Sequence, residues 1–193
     1  MTLSYSDVAG VILAGGKSSR FGENKAFAVY QERPMVQRAY EALRPLCREI
    51  VLVTNTPEQY RAVPARILSD RVPYQGPLGG LATALEEISA PYALAVACDM
   101  PLLDAEVLRE VARRGRGHLA AIPVQEGRKE YLMALYAKGL AAPMRAALQR
   151  GIRSLREFCA GSEDVLWLPL RGNSAANVNT REELEKLERN HAV

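Results

Sequence analysis

Apolar residues in this chain fall into short unbroken runs, at 8–13, 50–54, 92–97, 119–124, 133–136 and 165–168. Continuous runs of this kind predict strands buried on both faces. Between them the apolar positions change to helical spacing. In "MVQRAYEALRPL" the residues Val36, Ala39, Tyr40 and Leu43 recur on one helix face. "LATALEEI", from Leu81, predicts a second helix after a glycine-rich turn, and in "DAEVLREVARR" Asp104 stands at an N-cap position. A final helix opens at "TREEL", where Thr180 and Glu183 have capping-box spacing. Strands alternating with helices predict an α/β fold, a mostly parallel sheet with helices on both faces. The later runs are more closely spaced, which predicts an antiparallel element or a small side excursion there. With no repeat, low-complexity tract or linker in 193 residues, one domain over 1–193 is expected.

Composition acts mainly by exclusion. No apolar run approaches the ~20 residues that span a bilayer, so no membrane partner is expected. The opening "MTLSYSDVAG" lacks the basic-then-apolar layout of a signal peptide, which makes a cytoplasmic location the expectation. Cys47, Cys98 and Cys159 are odd in number and far apart, against a disulfide framework or a zinc site. Two histidines, His118 and His191, leave little material for a histidine metal cluster or a Ser-His-Asp triad. A net charge of +3 with the signs interspersed and few aromatics is no nucleic-acid footprint.

Ligands of open α/β sheets bind outside the carboxyl ends of the strands. In this chain those ends carry glycines and charge. The first run stops at Gly15 and Gly16, and Lys17, Arg20 and Lys25 follow. The second exits at Asn55, and "ARILSD" delivers Asp70 just before the glycines of 76–80. The third ends in "ACDMP", with Asp99 and Pro101, and "NVNT" (177–180) precedes the last helix. Glycine allows close backbone approach to an anion, and Arg20 and Lys25 add cations in reach of phosphates. The loop is neither G-x-x-x-x-G-K-[ST] nor G-x-G-x-x-G. On its own it reads equally as a solvated turn. Asp99, at the mouth of a buried run, suits Mg²⁺, which proteins hold with one carboxylate plus phosphate oxygens and water; its plain alternative is a cap on the turn before Pro101.

Taken in order, "LAGGKSSRFGENK", "ILSD", "GPLGG", "ACDMPLLDAEVL" and "NVNTREEL" resemble the motif set of the molybdenum cofactor guanylyltransferases, from about residue 8 to 188. The resemblance implies a Rossmann-like nucleotidyltransferase fold and the transfer of GMP from GTP to the phosphate of molybdopterin. It implies that Leu13, Ala14, Gly15 and Gly16 hold the guanine and present backbone to the phosphates, and that Arg20 and Lys25 grip the triphosphate. Asn55 and Asp70 would contribute to the nucleoside pocket, with Gly76 to Gly80 allowing close approach. Asp99 would bind the catalytic Mg²⁺, and Asn177 and Asn179 would lie near the acceptor. It also implies transient contact with proteins that make molybdopterin or receive the finished cofactor. Cytidylyl-transferring relatives commonly carry Ala at the position of Gly15, where a methyl group crowds a purine.

The reaction suits a chain without a triad. A phosphate monoester is already anionic near neutral pH, so it needs no general base, and the task reduces to positioning and charge neutralisation. One segment departs from the family pattern. Many relatives carry His-Pro or Gln-Pro before the strand that here reads "GRKEYLMALY", so the acceptor is the open part, and Arg128 and Lys129 read as a solvated turn in preference to a contact with an acceptor phosphate. Transfer from CTP or to another phosphorylated acceptor, and a non-catalytic nucleotide-binding regulator, remain the alternatives.

Overall fold

The structure, a computed structural model, describes residues 7–15, 21, 24–70, 72, 75–162, 164–170 and 175–191. In chain order, β1 (Val8–Leu13) leads to a hairpin of β2 (Val29–Tyr30) and β3 (Arg33–Pro34), then α1 (Met35–Leu43) and β4 (Glu49–Thr54). There follow β5 (Arg66–Ser69), α2 (Gly76–Glu87), β6 (Tyr92–Ala97) and α3 (Ala105–Arg114). β7 (Ala120–Gln125), β8 (Arg128–Lys129) and β9 (Met133–Ala137) precede α4 (Ala141–Gln149), α5 (Leu155–Cys159), β10 (Val165–Pro169) and α6 (Arg181–His191).

The main sheet runs β10-β7-β9-β6-β1-β4-β5, with β8 paired to β7. β1 lies parallel to both β4 and β6, and β9 is antiparallel to β6 and β7. β9 is thus the antiparallel element that the strand spacing predicted. The chain moves from β1 out through β4 and β5, then returns to the other side of β1 as β6. The carboxyl ends of β1 and β6 therefore form a topological switch, where open α/β sheets open a crevice.

Both faces of β1 are buried because its side chains alternate between two core layers. Val8 and Ile12 pack with Val36, Leu43, Leu108 and Val111 of α1 and α3. Ala9, Val11 and Leu13 pack with Leu81, Leu85, Met144 and Leu155 of α2, α4 and α5. A smaller cluster of Phe21, Tyr30, Met35, Val178 and Leu184 tucks the β2–β3 hairpin against α6. Both predicted caps are in place: Asp104 Oδ1 accepts from Glu106 N at 2.7 Å, and Thr180 Oγ1 accepts from Glu183 N at 3.1 Å. Among the described residues no helix is long and apolar enough to cross a membrane.

Two expectations change. The glycine-rich stretch 76–80, read both as a turn and as opening a helix, is not a separate turn but the first turn of α2. Pro77 fits there because the opening N–H groups of a helix have no intrahelical partner. Glycine is needed for proximity: a Cβ on Gly80 would stand 3.2 Å from Leu13 Cδ2, and one on Gly79 would stand 2.6 Å from Gln75 Cβ. Arg128 and Lys129 are not a solvated turn either. They form β8, joined to β7 by Glu126 (φ 50°) and Gly127 (φ 78°), a two-residue loop whose positive φ values match strand twist. Lys129 Nζ lies 3.8 Å from the centroid of the Trp167 ring.

Candidate functional site

Backbone hydrogen bonds extend the sheet past its regular ends. Ala14 N donates to Val53 O at 2.9 Å, and Cys98 N donates to Leu13 O at 3.2 Å. Gly15, Asn55 and Asp99 therefore leave the sheet side by side, around a cavity of about 460 Å³. Of the residues expected from the sequence, Leu13, Gly15, Lys25, Asn55, Asp70, Gly76, Gly80 and Asp99 line it. Val53, Ala97, Cys98 and Leu132 supply apolar wall.

Lys25 opens a short 3₁₀ turn, Lys25–Phe27, that Asn24 caps by accepting from Ala26 N at 3.2 Å. The turn aims the Lys25 ammonium at Asp99, and the two side chains form an ion pair. Asp99 is only 7% exposed. Its carbonyl accepts from Val178 N at 3.0 Å, which holds the "NVNT" segment beside it. Asn177 and Asn179, on either side of buried Val178, are exposed and do not line the cavity. Asn179 instead donates its N–H to Glu183 Oε2 at 2.6 Å, as part of the cap of α6. Ala14 is buried, with its N–H given to Val53. Gly16 and Arg20 lie outside the described residues.

Gly15 is exposed, and among the described residues a Cβ there would meet only Asn55 Nδ2, at 3.9 Å. The neighbouring protein atoms leave room for a methyl group, so what the glycine keeps open is cavity space. Among the described residues Asn55 Oδ1 is buried with no hydrogen-bond partner. A buried acceptor on a cavity wall is open to an N–H or O–H donor that enters the cavity. Asp70 takes its place from Asp70 N, which donates to Thr54 O at 3.3 Å, and its carboxylate accepts from the Thr83 hydroxyl.

Cys98 backs the cavity, but burial pushes its thiol up to about 12, with the Asp99 charge adding to the effect. It is a neutral wall residue rather than a nucleophile. Among the described residues, no group of three His, Cys, Asp or Glu side chains gathers as an all-protein metal cage. Asp99, one of the two carboxylates that line the cavity, is an oxygen donor of the kind that suits Mg²⁺.

Tyr60 is a site residue that the sequence did not disclose. Its hydroxyl accepts from Asn24 Nδ2 at 3.0 Å and donates toward Ala14 O at 3.4 Å, and Phe27 packs on its ring. It therefore ties the residue that caps the Lys25 turn to the exit of β1. Burial first, then the nearby Cys98, raises its hydroxyl to about 12, so it keeps its proton. Tyr60→Phe is expected to cost about 1 kcal/mol of stability and to raise KM for a nucleoside triphosphate several-fold. Nucleoside binding should be unchanged. Thermal melting and calorimetric titration with triphosphate and nucleoside check this.

The chain matches the MobA-like NTP transferase domain over residues 10–165. It is 36% identical over 149 residues to a probable molybdenum cofactor guanylyltransferase of Clostridium perfringens strain 13, covering 77% of this chain and 75% of that relative. To a molybdenum cofactor guanylyltransferase of Desulfosudis oleivorans it is 31% identical over 197 residues, with 94% of each chain covered. Among solved structures, molybdopterin-guanine dinucleotide biosynthesis protein A of Archaeoglobus fulgidus superposes with a TM-score of 0.78 at 23% identity, covering 95% of this chain and 98% of that one. A CMP:2-keto-3-deoxy-manno-octonic acid synthetase complexed with CTP shares the fold at a TM-score of 0.79 and 16% identity, covering 97% and 99%. The domain match over most of the length, with curated relatives above 30% identity, establishes that the chain belongs to the MobA-like NTP transferase family and is a nucleotidyltransferase.

Proposed function

We propose that this nucleotidyltransferase transfers GMP from GTP to the phosphate of molybdopterin, releasing pyrophosphate, in molybdenum cofactor biosynthesis. The observation that carries this reading is the Lys25–Asp99 pair at one end of a cavity whose other end offers Asn55 and Asp70. One end suits a charged phosphate chain and its cation, and the other suits the donor groups of a nucleoside. The space kept open by Gly15 favours a purine over a pyrimidine, and the names of the curated relatives favour guanine.

In the proposed reaction an oxygen of the acceptor phosphate attacks the α-phosphorus of GTP. The bond from that phosphorus to the oxygen bridging the α- and β-phosphates breaks, and the electron pair leaves with pyrophosphate. Lys25 moves its charge from Asp99 to the triphosphate as the nucleotide enters, and Asp99 is the residue that would hold Mg²⁺. The ion, when bound, supplies charge neutralisation at the reacting phosphates. Arg20 is assigned a second grip on the triphosphate. The exposed Asn177 and Asn179, anchored next to Asp99 through Val178, are assigned to the acceptor side. Cytoplasmic location, and transient contact with proteins that make molybdopterin or take the product, belong to the same proposal.

A thermal-shift panel of GTP, CTP, ATP and UTP, each with and without Mg²⁺, tests the assignment. A ligand at ~100 times its dissociation constant adds about 2.7 kcal/mol, and at roughly 2–4 °C per kcal/mol the expected shift is several degrees. The expected result is a GTP-selective shift enlarged by Mg²⁺. A CTP-selective shift overturns the base assignment, and the absence of any shift overturns nucleotide binding and the transfer reaction with it.

A further inference from the structure

Behind Asp70 runs a line of polar side chains that the proposed reaction leaves unused. Thr83 on α2, 2% exposed, donates its hydroxyl proton to Asp70 Oδ1 at 3.1 Å. Arg145 on α4 donates from Nη2 to the Thr83 oxygen at 3.0 Å. The same guanidinium is clamped by Glu86 of α2, with Nε to Oε1 at 2.8 Å and Nη2 to Oε2 at 3.0 Å. The line passes from the cavity wall through α2 to α4.

Its direction follows from the chemistry of the groups. A guanidinium has only donors, and a hydroxyl has one proton. Arg145 occupies a lone pair of the Thr83 oxygen, so the Thr83 proton is left to point at Asp70. The Glu86 hydrogen bond, and behind it the charges of Glu86 and Asp70, holds Arg145 above its usual range despite burial. Asp70 is thereby kept as an acceptor, engaged through Oδ1 on the helix side. Its Oδ2 lies 3.7 Å from where a Cβ would stand on Gly79, over the first turn of α2, which borders the cavity. This support matters because Asp70 follows β5, the edge strand of the sheet. A carboxylate at an edge-strand exit has few backbone contacts to set its rotamer.

We propose that Thr83 and Arg145 are positioning residues for nucleotide recognition, fixing Asp70 as an oriented acceptor for the hydroxyl or N–H donors of the nucleoside. The proposal rests on the reading of the cavity as a nucleotide site. Neither residue touches the ligand; both act through Asp70.

An isosteric pair of variants separates this role from packing. Thr83→Val keeps the shape and removes the hydroxyl, whereas Thr83→Ser keeps the hydroxyl and removes the methyl group. Calorimetric titration with GTP, CTP, ATP and UTP, and steady-state kinetics with the nucleotide that binds, are run on the full chain. Thr83→Val is expected to weaken nucleotide binding about tenfold, with the change in KM rather than kcat, and Thr83→Ser to stay near the parent. Arg145→Lys keeps the charge but loses the planar fork, and is expected to weaken binding about threefold; it also provides the test if Thr83→Val fails to fold. Parental affinity in Thr83→Val with a loss in Thr83→Ser overturns the relay and makes Thr83 a packing residue, and parental affinity in a folded Arg145→Lys removes Arg145 from it. If the parent selects a nucleotide other than GTP, the base assignment fails while the same comparison still decides the relay. If the parent binds none of the four, both readings fall.

Discussion

Asp99→Asn is expected to lower Mg²⁺-dependent turnover by about a thousandfold or more while the protein stays folded. The magnitude is that of removing one preorganised electrostatic group from a transition state, roughly 4 kcal/mol. Asn has the shape of Asp but none of its charge, and the bond from Val178 N, made to the backbone carbonyl of residue 99, is unaffected. The cost in stability is modest. Lys25 loses the Asp99 charge, yet its side chain is 21% exposed and can turn toward water. A loss of about 1–2 kcal/mol is expected, or a few degrees in the melting midpoint. Pyrophosphate release measured across a Mg²⁺ titration, with thermal melting alongside, checks the expectation. Parental turnover in the variant would remove Asp99 from the metal site.

Lys25→Ala should separate the two ends of the cavity. The ammonium is assigned to the triphosphate, and the nucleoside to Asn55 and Asp70 at the other end. Losing one charge-assisted contact of about 1.5–3 kcal/mol corresponds to a loss of GTP affinity of roughly 10- to 100-fold, with guanosine affinity unchanged. A second effect runs in the same variant. Asp99, with its side chain 10% exposed, loses the cation beside it, and a mostly buried carboxylate without that charge destabilises the fold. The melting midpoint should fall by several degrees, and Mg²⁺ should recover part of the loss. Calorimetry with GTP and with guanosine, and melting with and without Mg²⁺, check both parts. Equal GTP affinity in variant and parent would remove Lys25 from the triphosphate site.

The residues whose roles follow from local chemistry were legible in the sequence. Gly15, Asp99 and Asn55 stand at the ends of apolar runs, and a strand buried on both faces can bring polar groups to light only at its ends. Asp104 and Thr180 were equally plain, since a capping oxygen needs only its own helix. The hairpin of β7 and β8 was partly concealed, because Gly127 is a turn signal but Glu126 at φ 50° is not. The glycines of 76–80 suggested a turn because glycine destabilises helix interiors. They fit the first turn of α2 because Gly76 takes a φ of 70° there and a Cβ on Gly79 would overlap the Gln75 side chain.

Tyr60, Thr83 and Arg145 had no comparable signal. Tyr60 is 36 residues from Asn24 and 46 from Ala14, and Arg145 is 62 residues from Thr83. A hydrogen bond at that range leaves no periodicity behind, and α4, which carries Arg145, was not predicted. The sequence by itself determined the alternation of strands and helices, both caps and the rim of the sheet where the cavity opens, because each depends on neighbours within a few residues. Only the tertiary structure decided that Lys25 meets Asp99, that Tyr60 ties the Lys25 turn to β1, and that α2 and α4 brace Asp70. Those contacts depend on strand order and helix docking, and packing of the whole core sets both.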